Sequence, residues 1–314
     1  MLYLRCLFLL VTISLLPAES EARISFDALQ HDGYGMVPVE RPEPNVLVVS
    51  ATINGRKARL IVDTGWSGEG ITVKSDYAST LHSPVQTVNQ FGHSASGQAL
   101  GGIKKGTADT VTMGNVLMRQ VPVYFGNIPS LQHASTRSIH ADGFIGEGFL
   151  STCSGIIDLH NLRVYLRPPG TGRRAIIGTA MKAQGLAEVP FYIIQTNCVV
   201  AVEINGAPGI MVLDTGATLA GVDERFVPQM KAKTRVARAT AVDAAGIERA
   251  TKLTTLSSFR IAGVNVRAPD LRIGRYGFYD ATSGKVVGLL GMDILGQNGT
   301  IIDFGQKKLY FYPL

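Results

Sequence analysis

The sequence repeats itself once, and that repeat restricts the possible folds more than any single segment does. One stretch reads Val48-Val49-Ser50-Ala51-Thr52-Ile53-Asn54-Gly55 and, after a short gap, Leu60-Ile61-Val62-Asp63-Thr64-Gly65. A second reads Val199-Val200-Ala201-Val202-Glu203-Ile204-Asn205-Gly206, then Ile210-Met211-Val212-Leu213-Asp214-Thr215-Gly216. The step from the Asn of the Asn-Gly pair to the Asp is nine positions in both copies (63 − 54 and 214 − 205). Further along, Gly143-Phe144-Ile145-Gly146, Gly155-Ile156-Ile157-Asp158 and Val164-Tyr165-Leu166 recur as Gly288-Leu289-Leu290-Gly291, Thr300-Ile301-Ile302-Asp303 and Leu309-Tyr310-Phe311, always 145 positions on (291 − 146, 303 − 158, 310 − 165). Thr112-Met113-Gly114 matches Ile261-Ala262-Gly263 at 149, and Val37-Pro38 matches Val189-Pro190 at 152. Chance does not hold five features in one order with so little drift.

The chain is therefore two copies of one unit, at 35–168 and 187–314, and two copies make paired lobes rather than a solenoid, which needs at least three. Each copy opens with two β-rich runs joined by Asn-Gly, a hairpin signal. The 35 glycines favour tight turns and short strands. Helical periodicity is scarce, and one short helix is expected near Arg225 to Lys233. Pro168-Pro169-Gly170-Thr171-Gly172-Arg173-Arg174 has linker composition, so the lobes are placed at 23–168 and 187–314 with a connection at 169–186. With 46% hydrophobic and 17% charged residues, the chain has the material for a large core and not the composition of a disordered one.

The N-terminus reads as an export signal. Arg5 precedes an apolar run from Cys6 to Leu16, and small residues follow at Ala18, Ser20 and Ala22. A signal peptide over 1–22, cleaved near Ser20 or Ala22, makes the mature chain periplasmic or extracellular; an uncleaved membrane anchor is the alternative, though the run is short for a span. Losing Arg5, Glu19 and Glu21 moves the formal charge from +6 to +7. The basic residues are scattered without an aromatic-and-basic motif, which argues against a nucleic-acid partner. Cys153 and Cys198 stay in the mature chain, and the sequence leaves open whether they pair or remain buried thiols.

Each Asp-Thr-Gly ends an apolar run, so each Asp leaves a buried strand at a lobe's edge, where limited water favours its neutral form. If the copies pack about a pseudo-twofold axis, Asp63 and Asp214 meet. Two carboxylates about 3 Å apart do not both ionise readily and share one proton. The charged member then deprotonates a water while the protonated one polarises a carbonyl, the equipment for amide hydrolysis without a covalent intermediate. Asp-Thr-Gly alone is a common turn composition; its occurrence twice at matched positions is what carries the reading.

The pattern of Asn-Gly, apolar run, Asp-Thr-Gly and apolar-apolar-Gly, once per copy, resembles the pepsin and retropepsin aspartic peptidases. The resemblance covers nearly the whole mature chain, and the second copy is more similar to retropepsins. It implies an all-β fold of two pseudo-twofold-related, barrel-like lobes with an active-site cleft between them. It implies Asp63 and Asp214 as the catalytic pair and Thr64 and Thr215 as a cross-brace, with Gly65 and Gly216 supporting the loops. Gly146 and Gly291 are expected under the catalytic loops, bordering the cleft. It further implies a peptide or protein substrate, no cofactor, no metal, and a monomer, since one chain carries both motifs.

Two features depart from the family pattern. Trp66 stands where relatives carry a small residue, as a cleft wall or a buried anchor. The stretch from Phe91 to Gly101, matched near Asp243 to Arg249, lacks the flap tyrosine; it is either a mobile hairpin over the site, with Phe91 in the cleft, or an exposed loop. Rival enzyme classes fare poorly. Gly92-His93-Ser94-Ala95-Ser96 lacks the last glycine of a nucleophile elbow, and the six histidines are dispersed, with none in the second copy. The serious alternative is a peptide-binding or inhibitor protein on the same fold without turnover.

Overall fold

A computed structural model describes residues 24–43, 45–88, 101–132, 138–242 and 248–314, with the backbone alone at 237–242 and 248–251. The expected signal segment lies outside these residues, as do Phe91 and most of both expected flap stretches. Strands dominate, and the helices are short: Phe26–His31, Glu147–Thr152, Gly178–Ala183, Gly277–Ala281 and Met292–Leu295. No helix among the described residues is long and apolar enough to cross a membrane.

In the first lobe six strands close into a ring. Val48–Ile53 pairs with Arg56–Asp63, then follow Gly143–Gly146, Ile71–Lys74, Val116–Gly126 and Lys104–Met113, which returns to Val48–Ile53 through Ala51 opposite Met113. Alternation decides which side chains fill the ring: Ala58, Leu60 and Val62 point inward from one strand to meet Ile71, Val73 and Ile145. The second lobe repeats the path through Asn197–Ile204, Ala207–Leu213, Val286–Leu290, Gly221–Asp223, Leu271–Gly274 and Glu248–Thr254. Here Asn197–Ile204 takes the separate short strand Phe259–Ile261 on its other side. Both Asn-Gly turns have the two central residues at positive φ (Asn54 44°, Gly55 86°; Asn205 50°, Gly206 83°), the geometry that suits a tight hairpin.

The repeats also meet in a shared sheet. Its inner strands, Ile156–Asp158 and Ile301–Asp303, run antiparallel with Ile157 opposite Ile302, so the pseudo-twofold axis passes between two equivalent residues. Arg163–Leu166 and Lys308–Phe311 flank them. Outside these, Val37 pairs with Val164 in one copy as Val189 pairs with Leu309 in the other. The matched Val-Pro dipeptides are thus the corresponding edges of a common platform.

Two expectations need correction, and the question of the cysteines is answered. The stretch from Arg225 to Lys231 is a run of turns rather than a helix, with Pro228 inside it. The connection at 169–186 is not a loose linker: Ala175, Ile177 and Met181 are buried with Leu29, Tyr34 and Tyr165. Cys153 and Cys198 are both buried and unpaired with each other, and Cys153 Sγ lies 3.8 Å from Met118 Sδ. Burial pushes the Cys153 thiol up to about 12 and raises Cys198 as well, so both behave as small core residues.

Candidate active site

Asp63 is the last residue of its strand, and Asp214 follows Leu213 at the end of the equivalent one. Each strand is held in parallel by an apolar-apolar-Gly segment: Asp63 is in register with Gly146, and the Asp214 N–H donates to Leu290 O at 3.0 Å. Beyond the strands the loops turn back over those glycines. The Glu147 N–H donates to Trp66 O at 2.9 Å and the Met292 N–H to Ala217 O at 2.8 Å, the same bond in both lobes. A Cβ on Gly291 would lie 2.5 Å from the Leu219 carbonyl carbon and 2.7 Å from Ala220 N, and Gly146 is crowded in the same way by Trp66. Both glycines are buried beneath the loops. They support the loops and do not line the cleft.

Thr64 and Thr215 are fully buried and bond each other's lobe twice. The Thr64 N–H donates to Thr215 Oγ1 and the Thr215 N–H to Thr64 Oγ1, each at 3.0 Å. The Thr64 hydroxyl donates to Leu213 O at 2.7 Å, and the Thr215 hydroxyl to Val62 O at 2.8 Å. A side chain with one donor and two acceptor sites satisfies this pattern. Four buried backbone groups, two N–H and two C=O, find their partners across the axis, which fixes the loops relative to each other.

The two carboxyls come together, close enough for each to shift the titration of the other. Gly65 packs against Asp214, where a Cβ would sit 2.8 Å from Cγ; Gly216 packs more closely still against Asp63, at 2.3 Å. Backbone donors complete the shell: the Gly65 N–H to Asp63 Oδ1 at 2.9 Å, and the Gly216 and Ala217 N–H groups to Asp214 Oδ1 at 3.0 and 2.9 Å. Burial is the largest influence on both groups and holds both above the ordinary carboxylate range; for Asp63 the neighbouring Asp214 charge adds to it. The backbone donors oppose this without cancelling it.

Trp66 is a buried anchor and not a cleft wall. Its ring stacks on Phe144 with centroids 4.4 Å apart, and its indole N–H donates to the buried Thr72 Oγ1 at 2.9 Å. Phe91 lies outside the described residues. Two neighbours of the site went unnoticed in the sequence. Asp293 braces the second loop by accepting the Ala220 N–H at 2.8 Å, and burial raises its carboxyl to about 6. Tyr276 lies close enough to Asp214 for that carboxylate to raise its phenol further, after burial itself. Asp293 follows the Gly291 motif directly and was within reach; Tyr276 has no matching residue in the first copy to announce it.

Two family models match, one in each lobe. Residues 49–148 match "Aspartyl protease" and residues 200–297 match "gag-polyprotein putative aspartyl protease". No protein of curated function matches the chain by sequence. Among solved structures, the basic 7S globulin from soybean is 10% identical, with 89% of this chain and 95% of that one covered at a TM-score of 0.50. The aspartic proteinase from Irpex lacteus is 13% identical over 89% of this chain and 97% of its own, at 0.49. The likeness to the globulin is one of fold.

Proposed function

We propose that this chain, which belongs to the pepsin- and retropepsin-like aspartyl proteases, is a one-chain endopeptidase working through Asp63 and Asp214. The observation that carries the reading is the close approach of two half-buried carboxyls at the ends of equivalent strands, each packed against the other motif's glycine and braced by Thr64 and Thr215. One proton is shared by the pair, and with it on Asp63 the charge rests on Asp214, one of two near-equivalent arrangements.

A water held between them loses a proton to Asp214 as its oxygen attacks the peptide carbonyl carbon. The carbonyl oxygen takes the Asp63 proton, giving a neutral gem-diol. Asp214 then passes its proton to the amide nitrogen as the C–N bond breaks, and Asp63 recovers a proton from the diol. The products are a carboxylic acid and an amine, and the pair returns to its starting charge.

The remaining assignments follow from this reading. Lobes at 23–168 and 187–314 supply one carboxyl each, so the working unit is a monomer; residues 1–22 direct export; the substrate is a peptide or an unfolded protein segment. The test is hydrolysis of a mixed peptide library at pH about 5, blocked by a statine-type analogue and co-eluting with the monomer on sizing. A protein that binds the analogue but leaves every peptide intact would be a binder on this fold. Activity confined to a dimer would remove the one-chain assignment.

A further inference from the structure

The two lobes offer unequal walls to whatever lies across the carboxyl pair. Strand alternation puts Ile61 on the face of Asp63 and Val212 on the face of Asp214. Their parallel neighbours are Phe144 and Leu289, in register with them. These four residues start two corresponding apolar clusters beside the carboxyls, one in each lobe.

In the first lobe the cluster is closed. Trp66 lies over Phe144, and Ile128 and Leu131 fill the rest; every one of these side chains is buried. In the second lobe the position equivalent to Trp66 is Ala217, the residue after Asp-Thr-Gly, which sets a single methyl group where the first lobe has an indole. Tyr276 and Phe278 stand over this side instead, stacked with centroids 5.1 Å apart and an interplanar angle of 11°, and both are only half-buried, as are Ala217, Ile194 and Ile210. The phenol of Tyr276 is packed at Gly221, where any Cβ would collide with its oxygen, so the ring is held from behind.

We infer that the protease is selective on one side of the scissile bond only: Tyr276, Phe278 and Ala217 form a subsite for a large apolar side chain on the Asp214 side, while Trp66 closes the corresponding subsite on the Asp63 side. The inference rests on the proposed peptidase reading for its ligand. A large ring or branched chain entering beside Asp214 finds accessible apolar surface and a small residue at 217. One entering beside Asp63 finds its volume already taken by the indole.

The experiment uses hexapeptides whose scissile amide is replaced by –CH2–NH–, so that binding is read without turnover. Phe is exchanged for Ala at the residue before or after the replaced bond. The exchange should weaken binding about tenfold or more at one position and less than about threefold at the other. In Tyr276→Ala, Phe278→Ala and Ala217→Leu the first effect should fall below about threefold, with the second unchanged. Three substitutions on two segments guard against one of them failing to fold. Equal sensitivity at both positions, or a tenfold effect that survives in all three variants, would overturn the inference. The same peptides with ordinary amides separate the two claims. Hydrolysis without one-sided selectivity removes this inference alone, and one-sided binding without hydrolysis removes the peptidase reading alone.

Discussion

Gly216 of the second lobe lies directly against the Asp63 carboxyl of the first, so close that a Cβ at position 216 would overlap all three carboxyl atoms. Gly65 meets Asp214 in the same way. The glycine of each motif is therefore set by the other motif's carboxyl. Gly216→Ala must push the pair apart or tilt Asp63 away from Asp214, and a misplacement of about 1 Å costs on the order of 100-fold in rate. Steady-state kinetics should show that loss in kcat, together with a fall in Tm of only a few degrees. Retention of more than about a tenth of wild-type kcat would mean that the carboxyls do not need this approach.

Much of this arrangement was legible in the sequence because it is written twice. The shared register of Asn54 to Asp63 and Asn205 to Asp214 announced two equivalent hairpins, and the constant offset from Gly146 to Tyr165 announced the segments that pack beside them. What the repeat does not share was harder to read. Trp66 could face the cleft or the core, and only the position of Phe144 and Thr72 decides for the core. Tyr276 and Phe278 follow Leu271–Gly274, which shares with its counterpart only a closing apolar-x-apolar-Gly, and neither aromatic has a match in the first copy. Cys153 and Cys198 are even in number but unpaired in the fold, a matter that composition does not settle.

A second prediction concerns stability against pH. Asp303 is fully buried in the shared sheet; Oδ1 accepts the Gln306 N–H at 3.0 Å, Oδ2 has no partner, and burial raises the group to about 7. In the unfolded chain it titrates near 3.9. A carboxyl raised on folding binds its proton more tightly in the native state, so stability is highest below the unfolded pKa and falls as pH rises toward the folded one. A shift of about three units corresponds to about 4 kcal/mol, lost between about pH 4 and pH 7. Denaturant midpoints across that range should fall in the wild type, and Asp303→Asn should flatten the decline. An unchanged slope in the variant would assign the decline to other groups.

The activity profile follows from the carboxyl pair itself. Family relatives with a hydroxyl after the motif gain a donor to the ionised form; here the positions hold Trp66, whose indole N–H is committed to Thr72, and Ala217, which offers only its backbone N–H. With both carboxyls held high by burial, the shared proton is lost late, and the optimum is expected at about pH 4 to 6. Ala217→Ser supplies the missing hydroxyl and should move the acidic limb downward. A wild-type optimum below about pH 3, or no movement in the variant, would contradict this account.

The central claim is that one carboxyl from each repeat acts on one water in a single chain. Its most direct measurement is kcat/KM for Asp63→Asn and Asp214→Asn, each purified as a folded monomer and assayed at the wild-type optimum. An amide neither shares the proton nor accepts one from water, so each variant should lose at least about 1,000-fold while still binding a statine-type analogue. Substantial hydrolysis by either variant would contradict the paired mechanism, whatever the fold.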